Sequence, residues 1–316
     1  MSIRIVNLEG ESIIARFRAP AFAHEWIEYP LTPPDRVVER LSGAQVAVIN
    51  KVRLRAEHLR ELPDLKMVAV CATGTDNVDL AACREQGVVV SNVRGYAVNT
   101  VPEHAILLMM ALRRSLLAYH QDVRDGRWAR SANFCLFGHP VGDLHGATLG
   151  IFGRGSLGQG VARLAEAFGM RVLWGEQRGA ATVREGYVPF ETVLRESDVI
   201  SLHCPLTETT RGMIGRAELA AMKRTAVLVN TARGGLVDEQ ALADALREGV
   251  IAGAGVDVLS QEPPRDGNPL LAPDVPNLIV TPHMAWASQT AMQTMADQVV
   301  DNIEAFARGE PRNRVA

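Results

Sequence analysis

Three segments in the last third of the chain carry an arginine, a glutamate and a histidine, a set of side chains that suits hydride transfer. The segments are Val229 to Asp238 with Arg233, Gly255 to Pro264 with Glu262, and Val280 to Ser288 with His283. An arginine offers a fixed, always-charged fork for a carboxylate and a polarised carbonyl. A histidine titrates in the range needed to donate a proton to a carbonyl oxygen. A carboxylate on its other ring nitrogen would fix the tautomer, so the three residues together suit reduction of a 2-keto acid.

The placement of the three residues matters more than their types. Each follows an apolar strand pattern, and ligands of open α/β sheets bind at the carboxyl ends of strands. Taken singly, Arg233 is typical of a surface charge, His283 of a loop residue and Glu262 of turn chemistry. Because they occur jointly on successive strand ends, we interpret them as one site.

A glycine loop lies upstream, at Gly153-Arg154-Gly155-Ser156-Leu157-Gly158. It follows the apolar run Leu149 to Phe152 and opens a segment of helical spacing, which is the context that a dinucleotide-binding loop requires. The first glycine permits the tight turn, the second lets a pyrophosphate approach the backbone, and the third lets the helix pack on the strand. The helix N-terminus would then hold the phosphates.

An acidic residue is expected about twenty positions later, where it would bind the ribose hydroxyls. Glu176 stands there, which favours NAD over NADP. Arg178 and Arg184 are close by and could hold a 2′-phosphate, so NADP remains an alternative. Arg154 and Arg178 are included among the cofactor-binding candidates.

The remaining pattern predicts an α/β protein with parallel sheets. Short apolar runs recur without polar alternation, as in strands that helices cover on both faces. The runs are 46–49, 67–70, 88–90, 148–152, 171–174, 199–202, 226–229, 254–258 and 278–281, and the N-terminal residues 1–6 also resemble a buried strand. Two long helices are expected, from about Val101 to Asp125 with Thr100 as cap, and from Ser288 to Arg308. We expect residues 127–146 to be irregular.

Composition narrows the classes of function. The 316 residues suggest about two domains, and the net charge of -3 with pI near 6.3 gives no reason to expect nucleic acid or an anionic membrane as partner. The four cysteines lack the spacing of a zinc site or disulfide framework, so no metal is expected. The N-terminus lacks the pattern of a signal peptide, and Arg113 and Arg114 interrupt the most apolar stretch. A cytoplasmic protein is therefore expected.

These motifs closely resemble the D-isomer-specific 2-hydroxyacid dehydrogenases. The matching features are the glycine loop, His203-Cys204-Pro205-Leu206-Thr207 with Thr210, Thr231-Ala232-Arg233-Gly234, the run Asp257 to Pro263, and Pro282-His283. The resemblance implies that Arg233, Glu262 and His283 form the catalytic trio. It also implies that Asp257 and the backbone of Thr231, Ala232 and Arg233 hold the nicotinamide amide, and that Cys204, Pro205 and Thr210 line the cofactor.

The resemblance further implies two Rossmann-like or flavodoxin-like domains with the active site in the cleft between them. Residues 1–99 and 287–316 would form a discontinuous substrate domain, and residues 100–286 the dinucleotide-binding domain. Family members are usually homodimers. The chain is most similar to the glycerate dehydrogenase (hydroxypyruvate reductase) branch, on Asn50-Lys51, residues 72–76, residues 99–104 and residues 283–288. Ala285, a cofactor-site candidate, replaces a glycine found in many relatives.

On the substrate side, Thr73-Gly74-Thr75 follows a strand, and its backbone N–H groups could bind a carboxylate; a simple glycine turn is the alternative. Lys51 could help to bind a small anion or could be solvated. The favoured activity is reduction of hydroxypyruvate to D-glycerate and its reverse. The alternatives are a glyoxylate or 2-ketogluconate reductase and, from another class, an NAD-sensing corepressor-like protein. The absence of disordered tails disfavours the corepressor.

Overall fold

The computed structural model describes residues 2–316, which form two compact units. One unit comprises the described residues up to Ala97 together with Ala287–Ala316, and the other comprises Val98–Trp286. Each unit contains one parallel β-sheet with helices packed on it. The predicted class, an α/β protein with two parallel sheets, is confirmed. Among residues 2–316, no helix combines the length and apolar character needed to cross a membrane.

The first unit has a five-stranded sheet with the order β2-β1-β3-β4-β5, in which every pairing is parallel. Its strands are β1 (Ile3–Asn7), β2 (His24–Glu28), β3 (Val46–Ile49), β4 (Met67–Val70) and β5 (Val89–Ser91). Its helices are α1 (Val37–Leu41), α2 (Ala56–Arg60), α3 (Leu80–Glu85) and, from the end of the chain, α10 (Gln289–Ala307). The order of the strands reverses between β1 and β3, which makes that position the switch point of this sheet.

The second unit has a six-stranded parallel sheet with the order β11-β10-β9-β8-β6-β7. Its strands are β6 (Thr148–Phe152), β7 (Arg171–Gly175), β8 (Val199–Leu202), β9 (Val227–Asn230), β10 (Gly253–Val256) and β11 (Leu278–Val280). Its helices are α4 (Thr100–Arg113), α5 (Leu116–Arg124), α6 (Ser156–Ala167), α7 (Phe190–Glu196), α8 (Arg216–Ala221) and α9 (Glu239–Arg247). The switch point lies between β6 and β8.

The central strands are buried on both faces, which explains their unbroken apolar sequence. In β9, Leu228 packs into one apolar cluster, whereas its neighbours Val227 and Val229 pack into another on the opposite face. Each face of the sheet is thus covered by its own layer of helices. All nine internal runs predicted as strands are strands, with ends shifted by no more than two residues.

Two elements differ from the prediction. Strand β2 was not expected, because it lies at the sheet edge and its polar sequence His-Glu-Trp-Ile-Glu is only partly buried. The prediction of a single long helix up to Asp125 is wrong. The helix is divided into α4 and α5 at Ser115, whose φ of 48° places it in the left-handed region. The Ser115 hydroxyl donates a 2.6 Å hydrogen bond to the carbonyl of Pro140, which ties the break to the irregular segment.

The cap predicted for the last helix is confirmed, since the Ser288 hydroxyl accepts a 3.1 Å hydrogen bond from the Ala291 N–H. The first long helix begins one residue earlier than expected, with Asn99 rather than Thr100 as its N-cap. After α10 the chain returns to the first sheet, where the N–H of Val315 donates a 2.8 Å hydrogen bond to the carbonyl of Val90.

The three glycines after β6 have different steric surroundings. A Cβ on Gly158 would lie 2.0 Å from the carbonyl oxygen of Gly153, and one on Gly153, whose φ is +105°, would lie 2.5 Å from the backbone of His203. A Cβ on Gly155 would meet no atom within 4 Å. Gly153 and Gly158 are therefore required by the packing of strand and helix, whereas the fold does not require Gly155.

This difference predicts that two alanine substitutions affect stability to different extents. We expect Gly158→Ala to lower the free energy of unfolding by about 1–3 kcal/mol, the usual cost of overpacking. Gly155→Ala, with an ordinary φ of -77°, should change it by less than about 0.5 kcal/mol. Thermal and urea unfolding of both variants measures the effects. Equal destabilisation by both substitutions would contradict the steric assignment.

Candidate active site

A buried carboxylate organises the loop that follows β11. Asp257 comes directly after β10 and is only 1% exposed. Its Oδ1 accepts hydrogen bonds from the Thr281 hydroxyl (2.5 Å) and the Met284 N–H (2.9 Å), and its Oδ2 accepts one from the Ala285 N–H (2.9 Å). Residues 281–285 are thus folded around one side chain, which keeps its charge hydrogen-bonded inside the protein.

His283 lies at the centre of this loop in a strained conformation. Its φ of 53° is in the left-handed region, which is uncommon for residues other than glycine. Its N–H donates to the carbonyl of Asp257 at 2.8 Å and to that of Thr281 at 3.0 Å. The strain is therefore offset by the hydrogen bonds around Asp257, and the loop holds the imidazole in one orientation.

The Nδ1 atom of His283 lies 2.6 Å from Oε2 of Glu262. The other carboxylate oxygen of Glu262 accepts a 2.8 Å hydrogen bond from the N–H of Leu259, which sets the direction of the side chain. With Nδ1 bonded to a carboxylate, Nε2 is the ring nitrogen left to exchange a proton with a ligand. The geometry therefore brings together two of the three residues predicted from the sequence.

Arg233 lies in the turn after β9, and the neighbouring Asn230 shapes that turn. The Asn230 side chain donates a 2.9 Å hydrogen bond to the carbonyl of Arg233 and accepts one of 3.1 Å from the N–H of Ala232. A guanidinium N–H of Arg233 also donates to the carbonyl of Ala232 at 2.8 Å. Strands β9, β10 and β11 are adjacent and parallel, so their carboxyl ends carry the three predicted residues at one edge of the sheet.

The switch point of the same sheet offers a cradle for a dinucleotide. No side chain caps the first turn of α6, so its N–H groups remain available to phosphate oxygens. The open space beside Gly155 gives that approach room. Five buried side-chain atoms of residues 2–316 have no hydrogen-bond partner, and two of them, the Thr231 hydroxyl and Nδ1 of His203, follow strands β9 and β8 of this sheet. These features fit a bound nicotinamide dinucleotide.

The loop that follows β8 lies next to the glycine loop in space. The Thr210 hydroxyl donates a 2.7 Å hydrogen bond to the carbonyl of Pro205, and it accepts one of 2.8 Å from the N–H of Thr207, so it closes the loop on itself. Burial raises the pKa of the Cys204 thiol to about 11 and lowers the pKa of His203 to about 4. His203 is thus neutral near pH 7, which excludes it as the proton donor.

The acid at the end of β7 is engaged by an arginine. Glu176 is 4% exposed, and both its oxygens accept 2.7 Å hydrogen bonds from the guanidinium of Arg184. The N–H groups of Gln177 (2.8 Å) and Arg184 (3.1 Å) also bind it. The hydrogen bonds from Arg184 and Gln177 hold the pKa of Glu176 at about 2. Arg178 pairs at 2.9 Å with Glu218, so the acid and both arginines weighed for cofactor preference are ion-paired.

In the first unit, a second buried carboxylate holds the turn that contains Lys51. One oxygen of Glu9, which is 7% exposed, accepts hydrogen bonds from the N–H groups of Asn50 (2.7 Å), Lys51 (2.8 Å) and Val52 (2.8 Å). This turn follows β3, beside the switch point of that sheet. The position of Lys51 is therefore set by a residue that follows β1.

The segment Thr73-Gly74-Thr75 follows β4, the next strand of the same sheet. The Thr73 hydroxyl donates a 2.8 Å hydrogen bond to the carbonyl of Val93, and the Asn92 side chain donates one of 2.8 Å to the carbonyl of Thr73. The segment is thereby tied to the chain after β5. Residues 2–316 contain no cluster of three or more His, Cys, Asp or Glu side chains that could hold a metal ion.

Sequence reasoning missed Glu9 and Asn230, and it gave Asp257 only a cofactor role. A signal existed for Glu9 and Asn230, because each lies at the carboxyl end of a strand, as do the predicted residues. The Nε2 atom of His104, in α4, lies 3.1 Å from the Thr281 hydroxyl and 3.8 Å from Asp257. His104 therefore belongs to the hydrogen-bond network of the His283 loop.

Known proteins resemble this chain in sequence and in overall fold. The model of the family described as "D-isomer specific 2-hydroxyacid dehydrogenase, NAD binding domain" matches residues 106–285. The chain belongs to this family. It is 55% identical to the glycerate dehydrogenase of Methylorubrum extorquens, over 100% of this chain and 99% of that protein.

Two solved structures show the same similarity. The TT0316 protein of Thermus thermophilus superposes with a TM-score of 0.84 at 35% identity, over 99% of this chain and 100% of that one. The NADPH-dependent glyoxylate/hydroxypyruvate reductase of Sinorhizobium meliloti superposes with a TM-score of 0.81 at 30% identity, over 99% and 98%. This D-2-hydroxyacid dehydrogenase therefore has a nicotinamide dinucleotide as its cofactor, with NAD supported and NADP possible.

The ion pair at the end of β7 gives a prediction about the choice between the two cofactors. The substitution Arg184→Gln leaves the Glu176 carboxylate available to ribose hydroxyls. It also removes a positive charge that could bind a 2′-phosphate. We expect the ratio of kcat/KM for NADH to that for NADPH to rise about tenfold, equivalent to about 1.4 kcal/mol.

The matched control is Arg216→Gln, because Arg216 is an exposed arginine of the same unit that pairs with Asp244. The control should leave the cofactor ratio unchanged. An unchanged ratio in Arg184→Gln, or an equal loss with both cofactors, would show that the pair does not select the cofactor.

Proposed function

We propose that this dehydrogenase reduces hydroxypyruvate to D-glycerate with NADH and catalyses the reverse reaction. The observation that carries the proposal is the 2.6 Å contact between Glu262 and Nδ1 of His283, on a loop fixed by Asp257. The 55% identity to a glycerate dehydrogenase supports the choice of substrate.

In this proposal His283 exchanges the proton of the reaction. During reduction, a bound nicotinamide would supply the hydride that C2 of the keto acid accepts. Nε2 of His283 donates a proton to the carbonyl oxygen, which becomes the hydroxyl, and the same atom accepts that proton in the reverse direction. Glu262 stabilises the imidazolium and keeps the ring in the tautomer with the proton on Nδ1 when the ring is neutral.

Arg233 binds the carboxylate of the substrate and polarises its carbonyl, because its guanidinium is always charged and can bind two oxygens at once. In the first unit, the backbone N–H groups of Thr73, Gly74 and Thr75 form an anion nest suited to a carboxylate. Lys51 contributes positive charge for a small anion.

The switch-point edge of the second unit would hold the cofactor. The loop Gly153 to Gly158, including Arg154, Ser156 and Leu157, would bind its pyrophosphate, and Glu176 and Arg178 would hold its adenosine ribose. Cys204, Pro205 and Thr210 would also contribute to cofactor binding. Thr231, Ala232, Asp257 and Ala285 would hold the nicotinamide, for whose amide the unpartnered Thr231 hydroxyl is an available group.

Replacing His283→Asn tests the mechanism. Because a positioned acid–base group contributes about 10²- to 10⁴-fold to a rate, we expect kcat for hydroxypyruvate reduction to fall by about that factor. The dissociation constant for NADH, measured by fluorescence titration, should stay within about threefold, since asparagine leaves the cradle intact. Loss of NADH binding with proportionate loss of rate would contradict a proton-donor role.

The substrate assignment is tested with a panel of hydroxypyruvate, glyoxylate and 2-ketogluconate, each assayed with NADH and with NADPH. The highest kcat/KM should be found for hydroxypyruvate. A higher value for either of the other acids would reassign the substrate, and absence of turnover with all of them would favour the binding-protein alternative.

We also propose that the enzyme is a homodimer. Among residues 2–316, nine of the fifteen exposed large apolar side chains lie between residues 107 and 141, including Phe134 (92% exposed) and Phe137 (84%). Exposed apolar surface concentrated in this way is typical of an interface. The irregular part of this segment is nevertheless held in place, because the buried Asp122 binds both Arg127 (2.6 Å) and His139 (3.0 Å).

The dimer is tested by light scattering coupled to size-exclusion chromatography. The unmodified protein should have about twice the 34.3 kDa mass of one chain. The double substitution Phe134→Ser with Phe137→Ser should shift the mass toward that of one chain, whereas Val183→Ser, at an exposed apolar residue elsewhere, should not. A protein with the mass of one chain in all samples would contradict the proposal.

The four cysteines are free thiols, which fits a reducing compartment. We therefore place the enzyme in the cytoplasm.

A further inference from the structure

Glu262 lies on an exposed loop that packing alone does not hold in place. The loop, residues 258–268, is described throughout; it contains no helix or strand and ends at the short 3-10 helix Pro269–Leu271. Both Ser260 and Glu262 are exposed. Because a carboxylate on such a loop has many alternative positions, the 2.6 Å contact with His283 requires that the loop be anchored elsewhere.

The anchor is Glu239, the first residue of α9. Its Oε1 accepts a 2.7 Å hydrogen bond from the N–H of Ser260. Its Oε2 accepts hydrogen bonds from the Ser260 hydroxyl (2.5 Å) and from the Asn268 side chain (2.8 Å). Ser260 lies two residues before Glu262, and Asn268 ends the loop. One carboxylate therefore joins both halves of the loop to the helix.

Helix α9 is itself fixed by its N-terminal cap and by packing in the apolar core. The Asp238 side chain caps it by accepting a 3.0 Å hydrogen bond from the Ala241 N–H, and Leu242 and Leu246 are buried in the apolar core. Since Asp238 already supplies the N-terminal cap, Glu239 is not needed for that purpose. All three hydrogen bonds that its carboxylate accepts come from the loop.

We propose that Glu239 is a positioning residue for proton transfer. It acts through Ser260 and the loop on Glu262, and through Glu262 on the orientation of His283. This inference rests on the function proposed above for His283. The ordinary alternative is that Glu239 only stabilises the first turn of α9 through its charge, which would affect folding rather than the chemical step.

The two roles predict different kinetics. If Glu239 positions Glu262, then Glu239→Ala should lower kcat for hydroxypyruvate reduction about tenfold, with little change in KM or in the dissociation constant for NADH. Glu239→Gln keeps one acceptor oxygen and should lose less activity than Glu239→Ala. The neighbouring Gln240→Ala is the matched control, because the Gln240 side chain bonds only to Asp244 on its own helix; it should leave kcat unchanged.

A double-mutant cycle with Glu262→Gln decides whether Glu239 acts through Glu262. Once Glu262→Gln has removed the carboxylate that contacts His283, adding Glu239→Ala should lower kcat by less than about twofold. A full tenfold loss in that background as well would overturn the inference, as would an unchanged kcat in Glu239→Ala alone. A fall in the midpoint of thermal unfolding together with weaker NADH binding would indicate the folding role instead.

The cycle also separates this inference from the proposed function. If Glu262→Gln alone left kcat unchanged, the proposed role of the pair formed by Glu262 and His283 would fail, whatever Glu239 did. If Glu262→Gln lowered kcat but Glu239→Ala did not, only the inference about Glu239 would fail.

Discussion

A charge removed from water must be surrounded by hydrogen-bond donors, and the site of this enzyme depends on that requirement at Asp257. The carboxylate is 1% exposed, so leaving it without donors would cost far more than a single hydrogen bond contributes. The chain satisfies it with the hydroxyl of Thr281 and two backbone N–H groups of the next loop. These bonds fix the loop in which His283 has a left-handed backbone conformation, with a φ of 53°. The orientation of the imidazole thus follows from the desolvation of its neighbour.

In the first unit, a buried carboxylate likewise accepts hydrogen bonds from backbone N–H groups beside a strand end. Parallel strands end with N–H groups that the sheet no longer satisfies, and the switch point separates two of these ends. Glu9 satisfies three consecutive N–H groups with one oxygen. Both sheets therefore use a buried carboxylate beside a strand end to fix a loop, although the two loops differ in length and sequence. A loop held in this way keeps its shape without an apolar core of its own.

The sequence was sufficient for features that depend on local pattern. The buried strands could be recognised because helices on both faces require unbroken apolar runs, and the glycine loop because sterics leave few alternatives at Gly153 and Gly158. The partners of each ion pair could not be predicted from local sequence pattern in the same way. Glu176 looked like a ribose ligand, and only the fold of residues 177–184 shows that Arg184 returns to it. The break at Ser115 was also hidden, since it depends on a carbonyl twenty-five residues away.

The pairing of Glu176 with Arg184 has a consequence for the evolution of the enzyme. The two charges of this pair compensate each other, so a substitution at either position leaves an uncompensated charge at the end of β7. In the proposed mode of cofactor binding, that charge would lie where the two coenzymes differ. The residues that follow β9, β10 and β11 need not change when the charge at the end of β7 changes. On the proposed role of this pair, a change of coenzyme, and with it of the redox pool from which the enzyme draws its electrons, would leave the residues of the chemical step unchanged.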